Sequence, residues 1–187
     1  ITQIKEFGEK LSFDEHRIVA YDGVIERVSQ LEKLVNFHVE DKLPIILLAR
    51  GFAYDVVSTL LHNFKNKTTN IIPITTQVDW SSEFVIKDIA NCVECDYENL
   101  KIPDFFYKKT KIDNNKIFLS DEKILENSKK LSNKIKKDYE EFKDARDLIE
   151  KRLKFLSSNK VEIFIGNEFG SLKNVINDRL NFINRLL

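Results

Sequence analysis

The residues of this chain that could do chemistry are few and lie far apart. Cys92 and Cys95 have the spacing of a metal or redox pair. A structural zinc site needs four ligands, however, and the sequence has no second cysteine pair and no nearby histidine pair. A redox centre needs the pair at the start of a helix, whereas here it follows a predicted helix at 82–91. We therefore interpret the two cysteines as structural thiols.

Other catalytic patterns are also missing from the sequence. His16, His38 and His62 lie in separate predicted elements and form no metal-binding pair. No serine has the surroundings of a nucleophile elbow. The turn at 165–170 (IGNEFG) follows a strand, but it has neither the lysine of a phosphate-binding loop nor the glycine pattern of a dinucleotide fold. We expect no enzymatic activity, no metal site and no cofactor in this chain.

The remaining candidate site is an apolar surface on a helix. Residues 42–64 form an apolar strand and then a helix whose apolar side chains cover about 200° of its circumference. A helix that lies on a sheet buries a stripe of roughly 100° or somewhat more, so Tyr54, Val57 and Leu61 are left at the far edge. These side chains need either another element of the same domain or an external partner.

Around this helix, the hydrophobic pattern predicts an α/β fold with a parallel sheet layered with helices. The predicted elements are strands within 11–21, a turn at 22–23, a first helix at 24–40, a buried strand at 44–49, a second helix at 53–65, a strand at 70–75 and a helix at 82–91. They are followed by a β-hairpin at 105–120, a long helix or antiparallel pair at 121–157 broken near Asp138, a strand at 161–165 and a final helix at 172–187.

Composition limits the class of protein. The 187 residues, 42% of them hydrophobic, suit one globular domain, or one domain with an appendage. Thirty basic residues balance thirty acidic ones, so net charge does not indicate a nucleic-acid or membrane partner. No apolar run reaches the about 18 residues of a membrane span, and we expect a soluble protein. Because the chain begins at Ile1 and contains no methionine, we expect a processed chain or an excised segment.

Residues 22–64 resemble the apical domain of the group I chaperonin (GroEL) family. The matching landmarks are IVAYDGVI at 18–25, a helix that ends before Lys42, Pro44 with its apolar strand, and VSTLLHN at 57–63. The likeness continues through KDIA at 87–90, the hairpin at 108–118, the paired helices and the strand at 161–166. On this resemblance, residues 1–166 are the apical domain and 167–187 begin an intermediate-domain helix.

The resemblance implies a binding module. In that family the apical domain captures non-native polypeptide and the co-chaperonin in a groove between two helices with apolar exposed faces, which here would be 25–40 and 53–65. Glu32 stands where the family usually has leucine. The implied polypeptide-binding residues, with Val39 and Tyr54 added from the apolar faces, are Glu32, Val35, Val39, Tyr54, Val57, Leu61, His62 and Asn63.

The resemblance also implies a larger parent protein. Asp178 is the best match for the family's intermediate-domain aspartate, which activates the hydrolytic water. The nucleotide-binding equatorial domain has no counterpart here, so ATP, Mg²⁺, ATP hydrolysis and a ring of identical subunits would belong to the parent. The expected partners of this chain are unfolded polypeptides and a co-chaperonin, with no nucleic acid and no membrane. The expected compartment is the cytoplasm of a bacterium or the matrix of an organelle.

The sequence differs from the family in two glycine-containing segments, and two other classes of protein remain as alternatives. The family's glycine-rich loop and double-glycine hinge are replaced here by residues 77–82 and 157–160. A small-ligand or nucleotide-binding α/β domain with a helical appendage is one rival, although the missing phosphate loop disfavours it. A scaffold that uses 121–157 as a coiled coil is the other, and it is disfavoured because heptads do not persist.

Overall fold

The computed structural model describes residues 7, 10–76, 82–113, 116–141, 146–156 and 161–164. Its strands are β1 (Lys10–Ile25), β2 (Ile45–Phe52), β3 (Ile71–Thr75), β4 (Tyr107–Asp113), β5 (Lys116–Leu119) and β6 (Val161–Phe164). Its α-helices are α1 (Glu32–Asp41), α2 (Tyr54–Lys65), α3 (Ser82–Cys92), α4 (Glu122–Glu141) and α5 (Arg146–Leu156), and a 3-10 turn, Val28–Leu31, precedes α1.

The strands form one mixed sheet of six strands in the order β3-β2-β1-β4-β5-β6. β1, β2 and β3 are parallel, whereas β4, β5 and β6 are antiparallel to their neighbours. The predicted α/β class is therefore confirmed, but the prediction of a parallel sheet is wrong for half of it. The reason is the length of β1, which has 16 residues. Its first part pairs with β4 of the hairpin, and its second part pairs with β2.

Helices cover both faces of the parallel part of the sheet. β1, β2 and β3 follow one another across the sheet, so crossovers of the same hand place α1 and α2 on one face. The cluster on that face includes Val19, Leu31, Leu34, Ile45, Leu47, Val56 and Leu60. The cluster on the opposite face, which α3, α4 and α5 cover, includes Ile18, Ile46, Leu48, Ile86, Ile89, Ile124 and Ile149. Burial on both faces explains why the apolar run of β2 shows no alternation.

The start of the first helix differs from the prediction. The strand continues through the Asp22-Gly23 pair, where a register shift forms a bulge, and ends at Ile25. The side-chain carbonyl of Gln30 then accepts hydrogen bonds from the two backbone N–H groups that follow the strand, each at 2.9 Å. The predicted helix at 24–40 is therefore wrong at its start, because pairing with β2 holds these residues extended.

The later elements agree with the prediction more closely. The hairpin is confirmed, with Asp113 of β4 paired to Lys116 of β5. Of the two alternatives for 121–157, a long helix or an antiparallel pair, the structure has the pair, since the Ser128 hydroxyl near the start of α4 donates to the Leu156 carbonyl at the end of α5, at 2.8 Å. α4 continues past the predicted break near Asp138 to Glu141. The segments 77–81, 157–160 and 165–187 lie outside the described residues.

A buried histidine lies where β1 changes its neighbour. His16 pairs with Tyr107 of β4, and the next residue of β1 pairs with Ile45 of β2. Its Nε2 atom is 2.9 Å from the Thr110 hydroxyl, and its Nδ1 atom has no hydrogen-bond partner among the described residues. Burial disfavours the charged imidazolium and lowers the pKa of His16 from 6.5 to about 4, against a smaller opposing effect of Asp121.

This depressed pKa predicts a loss of stability in mild acid. Between pH 6.5 and about 4 the unfolded chain binds a proton that folded His16 does not, so the free energy of unfolding falls as pH decreases. His16 alone should contribute a loss of about 2 kcal/mol between pH 7 and pH 5, measurable by urea unfolding. His16→Leu should remove this part of the pH dependence, whereas His62→Gln, at an exposed site, should keep it. The same pH dependence in His16→Leu and the unsubstituted chain would contradict this assignment.

Candidate functional site

Both helices of the candidate site begin at the carboxyl edge of the parallel strands. Ile25 at the end of β1 and Phe52 at the end of β2 are register partners. The backbone N–H of Ala53 donates to the Ile25 carbonyl at 2.8 Å, which ties the end of β1 to the first turn of α2. The 3-10 turn that leads into α1 leaves from the same edge. α1 and α2 therefore run back over one face of the sheet.

Most of the predicted binding residues face solvent at least in part. Tyr54, the first residue of α2, is 81% exposed, and Val39 on α1 is 59% exposed. Glu32 and His62 are exposed as well. Val35, Leu61 and Asn63 are half-buried. We call the following residues the α1–α2 surface: Glu32, Val35, Val39, Tyr54, Leu61, His62 and Asn63.

Val57 does not belong to this surface. Its side chain is only 7% exposed and lies in the core cluster beside Val56 and Leu60. The reason is that α2 contacts the 3-10 turn before α1 as well as β3, so it buries a wider arc than one sheet contact requires. The prediction that Val57 is left at the exposed edge of the helix is therefore wrong, and only Tyr54 and Leu61 of that group reach solvent.

Two exposed valines were missed by the sequence prediction. Val24 near the end of β1 is 50% exposed, and Val28 at the start of the 3-10 turn is 41% exposed. With Tyr54, they place large apolar side chains at the carboxyl edge of β1 and β2. The prediction placed both valines inside the first helix. The adjacent β-branched residues Val24 and Ile25 were the signal for a longer strand.

A buried arginine holds the C-terminal end of α1. Arg17 of β1 donates through Nε and Nη2 to the two carboxylate oxygens of Asp41, at 2.7 and 3.0 Å. Its Nη1 atom donates to the carbonyls of Pro103 and Phe105, at 2.7 and 3.1 Å. The hydrogen bond from Arg17 lowers the pKa of Asp41 below its usual range. α1 ends at Asp41, and the next residue, Lys42, adopts a left-handed conformation with φ of 61°.

The cysteines are poorly suited to redox or nucleophilic chemistry. Both are free thiols, and they lie at and just after the C-terminal end of α3. Burial raises the pKa of Cys92 to about 12 and that of Cys95 to about 11, so neither is a thiolate at neutral pH. The side chains therefore serve packing, which agrees with the interpretation of structural thiols.

The described residues provide little that resembles a small-molecule site. No group of three or more His, Cys, Asp or Glu side chains within them is arranged to hold a metal ion. An open depression of about 520 Å³ lies beside the start of α4. It is lined by Lys108, Lys109, Ser120, Asp121, Glu122, Lys123 and Glu126. Small-molecule sites are mostly enclosed and apolar, so this charged depression does not favour the ligand-binding alternative.

Comparison with family models and with curated proteins gives no relative. No protein-family model matches the chain, and no curated protein matches it. Among the described residues, none forms a helix that is both long and apolar enough to cross a membrane. The function of the chain must therefore be inferred from the α1–α2 surface itself.

The burial of Val57 and the exposure of Tyr54 predict opposite effects on stability. Val57→Ser should lower the free energy of unfolding by about 2 to 3 kcal/mol, because it removes buried methyl groups and buries a hydroxyl. Tyr54→Ser should change it by about 0.5 kcal/mol or less, as expected for an exposed site. Urea unfolding of the two variants measures the difference. Equal changes in the free energy of unfolding would show that Val57 and Tyr54 do not differ in burial as assigned.

Proposed function

We propose that the chain is a polypeptide-binding module of the chaperonin apical type, which captures non-native polypeptide, and a co-chaperonin, at the α1–α2 surface. The observation that carries the proposal is the exposure of Tyr54 and Val39 on two helices of the same face. Tyr54 begins α2 and Val39 lies near the end of α1, so a partner that meets both side chains lies along the length of the two helices. Val24 and Val28 extend this apolar character to the edge of the sheet.

The chemistry of this surface suits unfolded chains. Folded proteins keep most large apolar side chains inside, whereas a non-native polypeptide exposes them. Apolar burial has no directional requirement, and a fully buried aliphatic side chain contributes roughly 1.5 to 3 kcal/mol. Several half-exposed contacts from Val35, Val39, Tyr54 and Leu61 therefore allow weak binding of many different sequences. The Tyr54 hydroxyl can in addition donate a hydrogen bond to a backbone carbonyl of the client.

Glu32 should make the α1–α2 surface select client segments by their charge. It is exposed and is the first residue of α1, on the same helix as Val35 and Val39. Its carboxylate should disfavour acidic client segments and favour segments with lysine or arginine. At an exposed site this preference amounts to about 1 kcal/mol or less. Glu32 therefore biases the choice of client without replacing the apolar contacts.

The order of elements supports the chaperonin assignment. The helix-strand-helix unit from α1 to α2, the β4–β5 hairpin and the α4–α5 pair follow one another as the resemblance requires. In this proposal, ATP, Mg²⁺, ring assembly and ATP hydrolysis belong to a full-length parent in a bacterial cytoplasm or an organelle matrix. Asp178, proposed for the parent's hydrolytic step, lies outside the described residues.

The proposal predicts which substitutions weaken capture of an unfolded client. The double variant Val39→Ser/Tyr54→Ser should bind a fluorescently labelled, chemically denatured protein about tenfold more weakly, because two apolar contacts are lost. Its melting temperature should hardly change. Fluorescence anisotropy on dilution of the client from denaturant provides the measurement.

Phe106→Ser is the matched control for this variant. Phe106 precedes β4, is not part of the α1–α2 surface, and is 46% exposed. The substitution therefore removes an exposed apolar side chain without touching the proposed site, and client binding should be unchanged. Unaltered affinity in the double variant, or an equal loss in Phe106→Ser, would rule out the α1–α2 surface as the site of capture.

A further inference from the structure

A phenylalanine that precedes the sheet packs against the end of α2. Phe7 lies three residues before the first residue of β1. It is 4% exposed and belongs to the core cluster on the face of the sheet that α1 and α2 cover. The centroids of the Phe7 and Phe64 rings are 5.1 Å apart, and the two ring planes are tilted by 57°. This separation lies within the range that aromatic pairs prefer, and such a pair contributes more than its buried area alone.

Phe64 fixes the last turn of α2 to the core. This turn, residues 62–65, reads HNFK, so Phe64 is its only apolar side chain. Phe64 is half-buried and packs against the clusters on both faces of the sheet. The same turn, together with the residue before it, carries residues 61–63 of the α1–α2 surface. Phe7 therefore contacts the one side chain through which this part of the surface is attached to the core.

The backbone that closes α2 is strained, which makes this packing more important. The N–H of Lys67 donates to the Phe64 carbonyl, and the N–H of Thr68 donates to the Asn63 carbonyl, each at 3.0 Å. Lys67 adopts a left-handed conformation with φ of 56°. This is the Schellman arrangement, in which the left-handed position is usually glycine because a side chain is disfavoured there. The end of α2 therefore depends on side-chain packing in addition to its backbone hydrogen bonds.

We propose that Phe7 is a positioning residue for client capture, which holds residues 61–63 in place through its contact with Phe64. The inference rests on the proposed function of the α1–α2 surface. Tyr54 lies ten residues before Phe64, which corresponds to about 15 Å along the helix. Phe7 therefore acts on one end of the client surface and leaves the other end unchanged. In this way the segment that precedes β1 adjusts the affinity of a surface to which it contributes no exposed side chain.

Amide hydrogen exchange tests the contact without any client. In Phe7→Ala, the amides of residues 62–65 should exchange about tenfold faster relative to those of residues 58–60, because the last turn opens locally while the middle of α2 stays closed. Phe7→Leu keeps an apolar side chain and should show a smaller change in the same direction. If Phe7→Ala does not fold, the change in Phe7→Leu decides the question.

Client affinity is then measured on the same variants. Phe7→Ala should bind a fluorescently labelled, chemically denatured protein about threefold more weakly, because Leu61 is displaced and is only one of several apolar contacts. Phe7→Leu should recover most of the affinity of the unsubstituted chain. Fluorescence anisotropy at a temperature well below the melting temperature of every variant keeps global unfolding out of the comparison.

Ile149→Ala is the matched control. Ile149 in α5 is 5% exposed and belongs to the cluster on the opposite face of the sheet. Its truncation should lower the free energy of unfolding to a similar extent, but the exchange ratio in α2 and the client affinity should not change.

Three results would overturn the positioning role of Phe7. These are an equal change in both turns of α2 in Phe7→Ala, the same exchange ratio in Ile149→Ala, and an unchanged client affinity in Phe7→Ala. If the unsubstituted chain captures no client, the proposed function itself fails. The exchange ratio would still decide whether Phe7 holds the end of α2, so the two failures are distinguishable.

Discussion

The long strand β1 depends on one buried guanidinium. Arg17 lies at the point where β1 stops pairing with β4 and begins pairing with β2, and it is only 8% exposed. Its hydrogen bonds to Asp41, Pro103 and Phe105 fix the end of α1 and the segment before β4 to the same strand. Loss of one partner of such a pair leaves a buried charge, at a cost of about 3 to 5 kcal/mol. The parallel and antiparallel halves of the sheet, and α1 above them, therefore depend on this contact.

The helices on the two faces of the sheet present different side chains to solvent. α1 and α2 lie on one face of the sheet and present apolar side chains, so binding there should depend on buried area and only weakly on salt. α4 lies on the other face, and its exposed side presents lysines together with acidic residues. A second buried ion pair, Arg152 of α5 with Asp88 of α3 at 2.7 and 2.9 Å, fixes the helical layer on that face. The helices on each face are therefore held in part by a partly buried ion pair.

The local sequence pattern correctly predicted those elements whose conformation is set by residues within the element or next to it in the sequence. The unbroken apolar run of β2, the apolar arc of α2, the β4–β5 hairpin and the α4–α5 pair are all found. The errors occur where distant pairing decides the outcome. Val24 and Ile25 stay in β1 because Gly51 and Phe52 pair with them, and the sheet is mixed because Phe13 pairs with Thr110, far away in the sequence. Val57 is likewise buried in one cluster with Leu31 of the 3-10 turn, a packing that helical periodicity does not contain.

The central claim is that non-native polypeptide binds at the α1–α2 surface. Amide chemical-shift mapping of the isotopically labelled chain, titrated with a permanently unfolded client, tests it most directly. We expect the perturbed amides to lie in residues 28–39 and 54–63, with those of α3 and α5 unchanged. Perturbations that centre on α4 or on the β4–β5 hairpin, or none at saturating client, would contradict the assignment of this surface.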